Sequence, residues 1–157
     1  MANFALSGEN MTLEEYWKKR NFDKTTEPGG KAEDKAENRF VVHRHQSRHL
    51  HYDFRLEMDG ALKSWAVPKG VPVESGVRRL AVQVEDHPVE YIDFAGEIPE
   101  GEYGAGTVDI WDRGEFRLEH RASDQLEFVL IGEKLSGDYV LIHTDGKNWL
   151  LFKRKAK

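Results

Sequence analysis

The stretch HYDFRLEMDGALKSWAV, residues 51–67, has the pattern of a β-hairpin. Its first six residues alternate strictly, so that apolar and polar side chains fall on opposite faces of a strand. The apolar face carries Tyr52, Phe54 and Leu56, and the polar face carries His51, Asp53 and Arg55. The Asp-Gly pair at 59–60 tolerates the positive φ angles of a type I′ turn. The stretch therefore predicts two antiparallel strands joined by a tight turn.

Stretches of similar character recur from residue 39 to the end of the chain. They lie at residues 40–45, 51–56, 62–67, 80–85, 107–111, 115–120, 125–131, 138–143 and 148–153. Turn-forming residues separate several of them, at 112–114 (Asp-Arg-Gly), 136–138 (Ser-Gly-Asp) and 145–147 (Asp-Gly-Lys). Short strands with turns about every ten residues are typical of an antiparallel barrel or sandwich. We expect a mainly β, single-domain fold, an antiparallel β-barrel of about seven to eight strands.

The first 38 residues predict a short helix followed by a flexible linker. Thr12 and Glu15 have the spacing of a capping box, so a helix should begin there and continue to Arg20. Residues 23–38 contain Pro, two Gly and many charges but no large apolar side chain, which is typical of an exposed loop. We therefore place the barrel domain at residues 39–157.

The composition limits the classes of function. The chain has 157 residues, of which 39% are hydrophobic and 11% aromatic, enough for one packed core. It contains no cysteine, which excludes disulfides, zinc ribbons and thiol nucleophiles. No apolar run approaches the roughly 18 residues of a membrane-spanning helix, and no signal peptide is recognisable at the N-terminus. We expect a cytoplasmic monomer that does not bind membranes.

The net charge of −5 is unevenly distributed along the chain. Residues 39–79 hold 8 basic and 4 acidic residues and four of the seven histidines. Residues 80–138 hold 4 basic and 15 acidic residues. Such asymmetry indicates one basic face on an acidic body, although an ordinary solubilising surface explains the charges equally well.

The polar face of the first strand of the hairpin suggests metal chemistry. His51 and Asp53 are two residues apart, so an imidazole and a carboxylate project to the same side, as a metal ion requires. His45, at the end of the preceding strand, can supply a third ligand. Two histidines and one aspartate leave coordination positions for water or a substrate oxygen. Arg55 lies one pleat further on the same face, where it can hold an anion.

Other histidines and cations lie at neighbouring strand ends. His43 and His49 have no paired carboxylate, so we interpret them as rim or surface residues. His87 follows a predicted strand just before Pro88, where functional side chains often project. A turn histidine stiffened by proline is the alternative.

Further cations near strand ends are Lys69, Arg78 and Arg79. Residues 98–106 hold three glycines around Tyr103 and lack the ending of a P-loop, which indicates a tight structural turn.

Two long segments carry a resemblance to a known family. They are FVVHRHQSRHLHYDFRLEMDGALKSWAVPKG, residues 40–70, and RRLAVQVEDHPVEYIDFAGEIPEGEYGAGTVDIWDRGEF, residues 78–116. With the motifs His-x5-His-x-Asp-x-Arg and Glu-Asp-His-Pro in this order, the chain resembles the 3′-phosphoesterase domain of the bacterial DNA ligase D family. The resemblance extends from about Leu13 to about Lys153. The family also includes freestanding bacterial and archaeal forms.

The resemblance implies a manganese-dependent enzyme that trims DNA 3′ ends. The family removes a 3′-terminal ribonucleoside, which leaves a 3′-phosphate, and then hydrolyses that phosphate to leave a 3′-hydroxyl for a polymerase or ligase. The metal ligands implied by motif position are His45, His51 and Asp53. The residues implied to engage the scissile phosphate are Arg55, His87 and Tyr91, with Lys69 and Arg79 as supporting cations. The positions linked chiefly to the diesterase step are Arg20, Glu27 and Glu85.

Two residues depart from the family pattern. His43 stands where the family commonly has Gln, and Asn21 where it commonly has Asp. Both lie near positions tied to nucleotide recognition, so the diesterase step depends on how His43 and Asn21 are accommodated. The resemblance also implies that ligase and polymerase partners act in trans on the recessed ends that this domain repairs.

Two alternatives come from other classes. The His51-x-Asp53 pair, completed by His87 or His143, matches the facial triad of an iron-dependent oxygenase. A barrel with a basic patch also suits a non-catalytic module that binds nucleic-acid ends. For His87, the sequence allows a role as the general acid for the leaving oxygen or as a contact that neutralises the phosphate.

Overall fold

The alternating stretches form nine antiparallel strands in the part of the chain that the structure describes. The computed structural model describes residues 13–22, 25, 27–28 and 38–155. The strands are β1 (Arg39–Gln46), β2 (Leu50–Met58), β3 (Ala61–Val67), β4 (Arg78–His87), β5 (Gly96–Ile98), β6 (Gly106–Ala122), β7 (Gln125–Gly132), β8 (Ser136–Asp145) and β9 (Asn148–Lys153). A 3₁₀ helix (Val89–Asp93) separates β4 from β5.

Eight of these strands close into a barrel because β1 pairs on both of its edges. The order around the barrel is β1-β2-β3-β4-β9-β8-β7-β6, and β6 pairs back to β1. The three-residue strand β5 stays outside the ring and pairs with the start of β6. The predicted mainly β, antiparallel barrel is confirmed, with eight strands.

The predicted hairpin is present with its expected turn. Met58 pairs with Ala61 at the end of the β2–β3 ladder. Asp59 and Gly60 have φ angles of 58° and 79°, and positive values at both positions are what a type I′ turn requires. The alternation of β2 is kept as well, because Phe54 and Leu56 are buried in the barrel interior while Asp53 and Arg55 line a cavity on the other side of the strand.

The core has two parts, and the second one supports the functional site. Aromatic and aliphatic residues fill the barrel, among them Phe54, Trp65 and Phe128. A smaller cluster lies outside β1 and β3. It consists of Tyr16, Val41, Leu62, Tyr91 and Ile92. The helix α1 (Leu13–Lys18) and the 3₁₀ helix therefore pack against the outer wall of the barrel.

The prediction of a turn at residues 112–114 is wrong. The chain continues there as the single strand β6, where two separate strands were expected. Asp112 is buried, and its carboxylate accepts hydrogen bonds from the backbone N–H groups of Glu133, Lys134 and Leu135 at 2.8–3.1 Å. At Gly114 a Cβ atom would collide with the carbonyl oxygen of Ile131. Asp112 and Gly114, residue types that are common in turns, thus allow β6 to lie close to β7 and to the residues that follow β7.

The N-terminal helix is shorter than expected. α1 spans Leu13–Lys18 and ends before Arg20. Tyr16 is fully buried, whereas Trp17 is 42% exposed. Thr12, which belongs to the expected capping box, and most of the expected linker lie outside the described residues. Thr25 and Glu27, which fall in that linker, are buried rather than exposed. No helix in the described part is long and apolar enough to cross a membrane.

Candidate active site

Three potential metal ligands meet on the outer face of β1 and β2. The antiparallel register places His45 directly opposite His51, and Asp53 lies two residues further on the same face. Oδ2 of Asp53 is 3.6 Å from Nδ1 of His45 and 3.3 Å from Nε2 of His51. The possible ligand atoms of the three residues all lie within 4.8 Å of one another. The expected constellation is therefore assembled.

The hydrogen bonds of the two histidines suit a divalent cation. Nε2–H of His45 donates to the carbonyl oxygen of Gly104 at 2.7 Å, and Nδ1–H of His51 donates to the carbonyl oxygen of His49 at 3.3 Å. The other nitrogen of each ring faces Asp53, where it would ligate an ion. Metal-binding histidines characteristically donate their other N–H in this way, which orients the ring and fixes its tautomer. The donor set of two imidazoles and one carboxylate fits a divalent transition metal.

The carboxylate at the centre of the cluster is ionised. Burial opposes its ionisation, but Arg55 and hydrogen bonds from His45 and His51 hold the pKa of Asp53 well below its usual range. The hydrogen bond to Asp53 in turn raises the pKa of His51. The cluster thus has a fixed negative charge, as a cation site requires.

Arg55 is a buried cation fixed on several sides. Its Nη2 lies 3.4 Å from Oδ2 of Asp53, Nη1 donates to Oγ of Ser64 at 2.9 Å, and Nε donates to Nδ1 of His43 at 3.1 Å. Its guanidinium also lies 4.9 Å from the centre of the Tyr91 ring. Arg55 therefore contacts the metal cluster, defined as the three potential ligands His45, His51 and Asp53. It also faces the cavity beside them.

His43 does not lie on the rim or surface, as the sequence suggested. It is fully buried, and burial together with Arg55 lowers its pKa to about 3, so the ring is neutral. The partner of His43 is a guanidinium, for which the ring is an acceptor, and not a carboxylate. His49 is exposed, in agreement with the expectation for a surface residue.

His87 and Tyr91 form the inner wall of the cavity. Nδ1–H of His87 donates to the carbonyl oxygen of Glu85 at 3.0 Å, and Nε2 accepts from Arg20 at 3.4 Å. Burial, Arg55 and Arg20 hold the pKa of His87 well below its usual range. The Tyr91 hydroxyl donates to Glu27 at 2.8 Å, and its ring centre is 4.7 Å from that of His87. His87 is therefore a neutral, oriented imidazole.

A network of charges joins the residues just after α1 to β4, beside His87 and Tyr91. Arg20 contacts Glu27 at 3.0 Å and Glu85 at 3.2 Å, and Lys19 contacts Glu85 at 3.0 Å. All but Lys19 have side chains that are at most 5% exposed. The structure thus brings Arg20, Glu27 and Glu85 to the site from distant parts of the sequence.

Beside these groups lies a cavity of about 280 Å³. The functional candidates that line it are His45, His51, Asp53, Arg55, His87, Tyr91, Arg20, Glu27 and Glu85. Residues 98–106, the glycine-rich segment, also reach this cavity, through Tyr103 and Gly104. It contains two turns, closed by hydrogen bonds from Glu102 to Pro99 at 3.2 Å and from Ala105 to Glu102 at 3.1 Å. The expected tight turn is present, but its contact with His45 was not expected. The three closely spaced glycines were the available signal.

The structure does not bring Lys69 and Arg79 into this cavity. Both line a separate cavity of about 280 Å³ together with Tyr52 and Trp111. Arg79 donates to the carbonyl oxygens of Lys69 and Gly70. Tyr52 lies on the opposite face of β2 from Asp53, so the two cavities are on different sides of the same strand. The expected role of these two cations remains a prediction.

The third potential ligand beside His51 and Asp53 is His45, and among the described residues neither His87 nor His143 belongs to this group. Nε2–H of His143 donates to the carbonyl oxygen of Gly146, and the ring packs against Trp149 on β9. The triads considered for an oxygenase are therefore not assembled.

Sequence comparisons identify the relatives of this chain. Residues 43–143 match the family model described as DNA Ligase D 3′-phosphoesterase domain. The chain is 51% identical to the multifunctional non-homologous end joining protein LigD of Pseudomonas aeruginosa, covering 91% of this chain and 18% of that protein. It is 46% identical to the proteins of the same name from Mycolicibacterium smegmatis and Mycobacterium bovis, covering 91% of this chain and 20% of each.

The chain thus spans about a fifth of the length of these multifunctional relatives. The matched segment contains all three residues of the metal cluster as well as Arg55, His87 and Tyr91. The match covers more than half of the chain and agrees with the resemblance carried by the two motifs. The chain belongs to the DNA ligase D 3′-phosphoesterase domain family, a family of phosphoesterase enzymes.

Proposed function

We propose that this chain is a manganese-dependent phosphoesterase that heals DNA 3′ ends for repair by end joining. In the first step water cleaves the bond between phosphorus and the 5′-oxygen of a 3′-terminal ribonucleoside. The nucleoside leaves with a proton on that oxygen, and a 3′-phosphate remains. In the second step water cleaves the bond between phosphorus and the 3′-oxygen, which releases inorganic phosphate and leaves a 3′-hydroxyl. Family membership supports this reaction class.

One observation carries the proposal: Arg55, His45 and His51 all contact the carboxylate of Asp53. His45, His51 and Asp53 would hold the ion, and their imidazole and carboxylate donors suit manganese. A bound divalent ion stabilises negative charge on a phosphoryl oxygen and lowers the pKa of water. Because Arg55 lies within 3.4 Å of Asp53, its guanidinium is positioned to bind a phosphate at the same point.

His87 supplies the remaining polar group of the phosphate site. Its Nδ1–H is committed to Glu85, so Nε2 is the nitrogen at which it would contact the phosphate or exchange a proton with the leaving oxygen. As a neutral imidazole it must take up a proton before it acts as an acid. A phosphate group beside Arg55 would favour that uptake, because its negative charge raises the pKa of a nearby imidazole.

The substrates that fit this account are DNA 3′ ends that carry a ribonucleotide or a phosphate. A recessed primer end offers both its terminal nucleotide and its free 3′ group to a cavity of about 280 Å³. The 3′-hydroxyl product is what a DNA polymerase extends and a ligase seals, so we propose enzyme activities of these two classes as partners.

The direct test uses a 5′-labelled primer–template that ends in a single ribonucleotide. With manganese, a sequencing gel should show a product one nucleoside shorter with a 3′-phosphate, followed by the 3′-hydroxyl form. Asp53→Asn should abolish both products, while its binding to the same DNA measured without metal should stay close to wild type. Binding without turnover in the wild-type protein would instead favour the end-binding module. Absence of any product across divalent metals would refute the proposal.

A further inference from the structure

Tyr103 is an exposed aromatic side chain on the wall of the catalytic cavity. Half of its surface is open to solvent, and the residue lines the same cavity as His45, Asp53 and Arg55. Single exposed aromatic residues are common on protein surfaces. The position of this ring and the groups that hold it there distinguish Tyr103 from such residues.

The ring has a fixed position. Tyr103 lies within the second of the two closed turns, and the next residue, Gly104, accepts a hydrogen bond from His45 at 2.7 Å. The ammonium of Lys19 lies 4.8 Å from the ring centre, and the guanidinium of Arg20 lies 5.4 Å from it. Cations at such distances are attracted to the electron-rich face of an aromatic ring. The ring is thus oriented before any substrate arrives.

The wall beside Tyr103 suits an uncharged group better than a phosphate. Lys19 and Arg20 are paired with Glu27 and Glu85 at 3.0–3.2 Å, so the positive charges are balanced by negative ones. A DNA strand that continued past this wall would bring further phosphates toward two carboxylates. A terminal nucleoside brings a base and two sugar hydroxyls, which can donate to carboxylates. The cavity volume of about 280 Å³ leaves room for about one nucleotide.

We propose that Tyr103 stacks on the base of the 3′-terminal nucleoside, the group that leaves in the first step. This inference rests on the proposed function. Tyr103 is then a positioning residue that binds the leaving group beside the scissile phosphate. In the second step no nucleoside occupies that side of the phosphate, so the ring has nothing to stack on. Tyr103 therefore determines specificity for the diesterase step alone.

Three primer–templates separate this role from a structural one. The first ends in a ribonucleotide, the second in an abasic ribose, and the third in a 3′-phosphate. Tyr103→Ala should raise KM for the first roughly tenfold, since loss of base–aromatic stacking has effects of about this size. It should change turnover of the second and third less than twofold. Tyr103→Phe, which keeps the ring, should resemble wild type on all three. Ile131→Ala, at a residue 53% exposed on β7, controls for loss of an exposed apolar side chain.

Equal losses on all three substrates, or an unchanged KM for the ribonucleotide end, would overturn the stacking role. A binding measurement keeps the inference testable even if wild-type protein turns over none of them, a result that refutes the proposed function. In the Asp53→Asn background, a fluorescent 2-aminopurine ribonucleoside at the primer end should be quenched on binding. With Tyr103→Ala added, the quenching should be lost, and persistent quenching would contradict stacking on this ring.

Discussion

His43 accepts one of the hydrogen bonds that fix the guanidinium of Arg55, and Ser64 accepts another. The imidazole accepts from Nε at 3.1 Å inside a fully buried setting, and its pKa near 3 keeps it neutral and able to accept. The resemblance implies that Gln is the usual residue at this position. The amide oxygen of Gln is also a neutral acceptor, so the departure from the family pattern preserves the chemistry that Arg55 needs.

This interpretation predicts opposite results for two substitutions. His43→Gln should keep kcat/KM on a 3′-phosphate primer within about threefold of wild type. His43→Leu has similar bulk but leaves Nε of buried Arg55 without an acceptor, a loss of about 1–3 kcal/mol, and should lower kcat/KM about tenfold or more. Steady-state kinetics at pH 7.5, with melting temperatures for both variants, decide between them. Equal activity of the two variants would show that the hydrogen bond is unimportant.

The manganese affinity of a His87 variant tests which residues bind the metal. It lies in the cavity with its Nδ1–H bound to Glu85, and it is not part of the metal cluster. His87→Ala should therefore leave manganese affinity within about twofold of wild type while it removes most turnover. Isothermal titration of manganese into the variant is the measurement. A large loss of affinity would make His87 a metal ligand.

Residues on one strand could be predicted as a group, whereas residues joined by the fold could not. His51, Asp53 and Arg55 share a face because side chains on a strand alternate, and His45 follows from an antiparallel neighbour. Nothing in the local pattern separates Lys69 and Arg79 from this group, since the closure of the barrel decides which cavity each cation lines. The contact of the glycine-rich segment with His45 likewise spans 59 residues.

Strands β3 and β4 carry a buried acid outside the candidate active-site cavity. Asp86 on β4 is 6% exposed and lies 3.5 Å from Lys63 on β3. Burial raises its pKa to about 7 despite that lysine. Its Oδ1 has no hydrogen-bond partner among the described residues. Ionised Asp86 therefore destabilises this strand pair.

The raised pKa of Asp86 gives a signed pH dependence of stability. In the unfolded chain Asp releases its proton near pH 3.9, whereas in the folded protein it does so near 7. As pH rises from about 4 to 7, the unfolded state binds fewer protons than the folded state, so folding stability falls, by up to a few kcal/mol. Asp86→Asn should remove this loss. Urea unfolding of both proteins at pH 5 and pH 8 should show a larger advantage for the variant at pH 8, and an equal difference at both values would contradict the assignment.

The strands themselves were predictable from alternation and apolar content, and the β2–β3 hairpin shows this most clearly. Prediction failed at residues 112–114, because Asp and Gly are favoured both in turns and at close backbone contacts. Asp112 binds three backbone N–H groups more than 20 residues away, and only the tertiary structure contains that information. The burial of Thr25 and Glu27 was likewise not predictable from the local sequence. It depends on hydrogen bonds from Arg20 and Tyr91 to Glu27 and from Thr25 to Glu27.

The charge distribution of the whole molecule limits how it can bind DNA. The chain carries a net charge of −5, and within the site Arg20 and Arg55 already contact carboxylates. Such a protein should hold a strand end through about two to four phosphate contacts. The slope of log K against log salt should then be roughly −2 to −4, at about −0.9 per neutralised phosphate.

Titration of labelled recessed primers and of blunt hairpins across salt concentrations measures that slope. The recessed end should bind more tightly, because an acidic body repels uninterrupted duplex. A steeper slope with equal affinity for both DNAs would require a larger basic surface than the described structure provides.

The central claim is that His45, His51 and Asp53 hold the ion on which turnover depends. His51→Ala tests it most directly, with His49→Ala as the matched control, because His49 is exposed and lies outside the cluster. Both proteins should melt close to wild type. On a 3′-phosphate primer with manganese, His51→Ala should lose at least about a hundredfold in kcat/KM, as removal of a ligand from a catalytic metal implies, while His49→Ala stays within about twofold. Wild-type turnover by a folded His51→Ala protein would contradict the account.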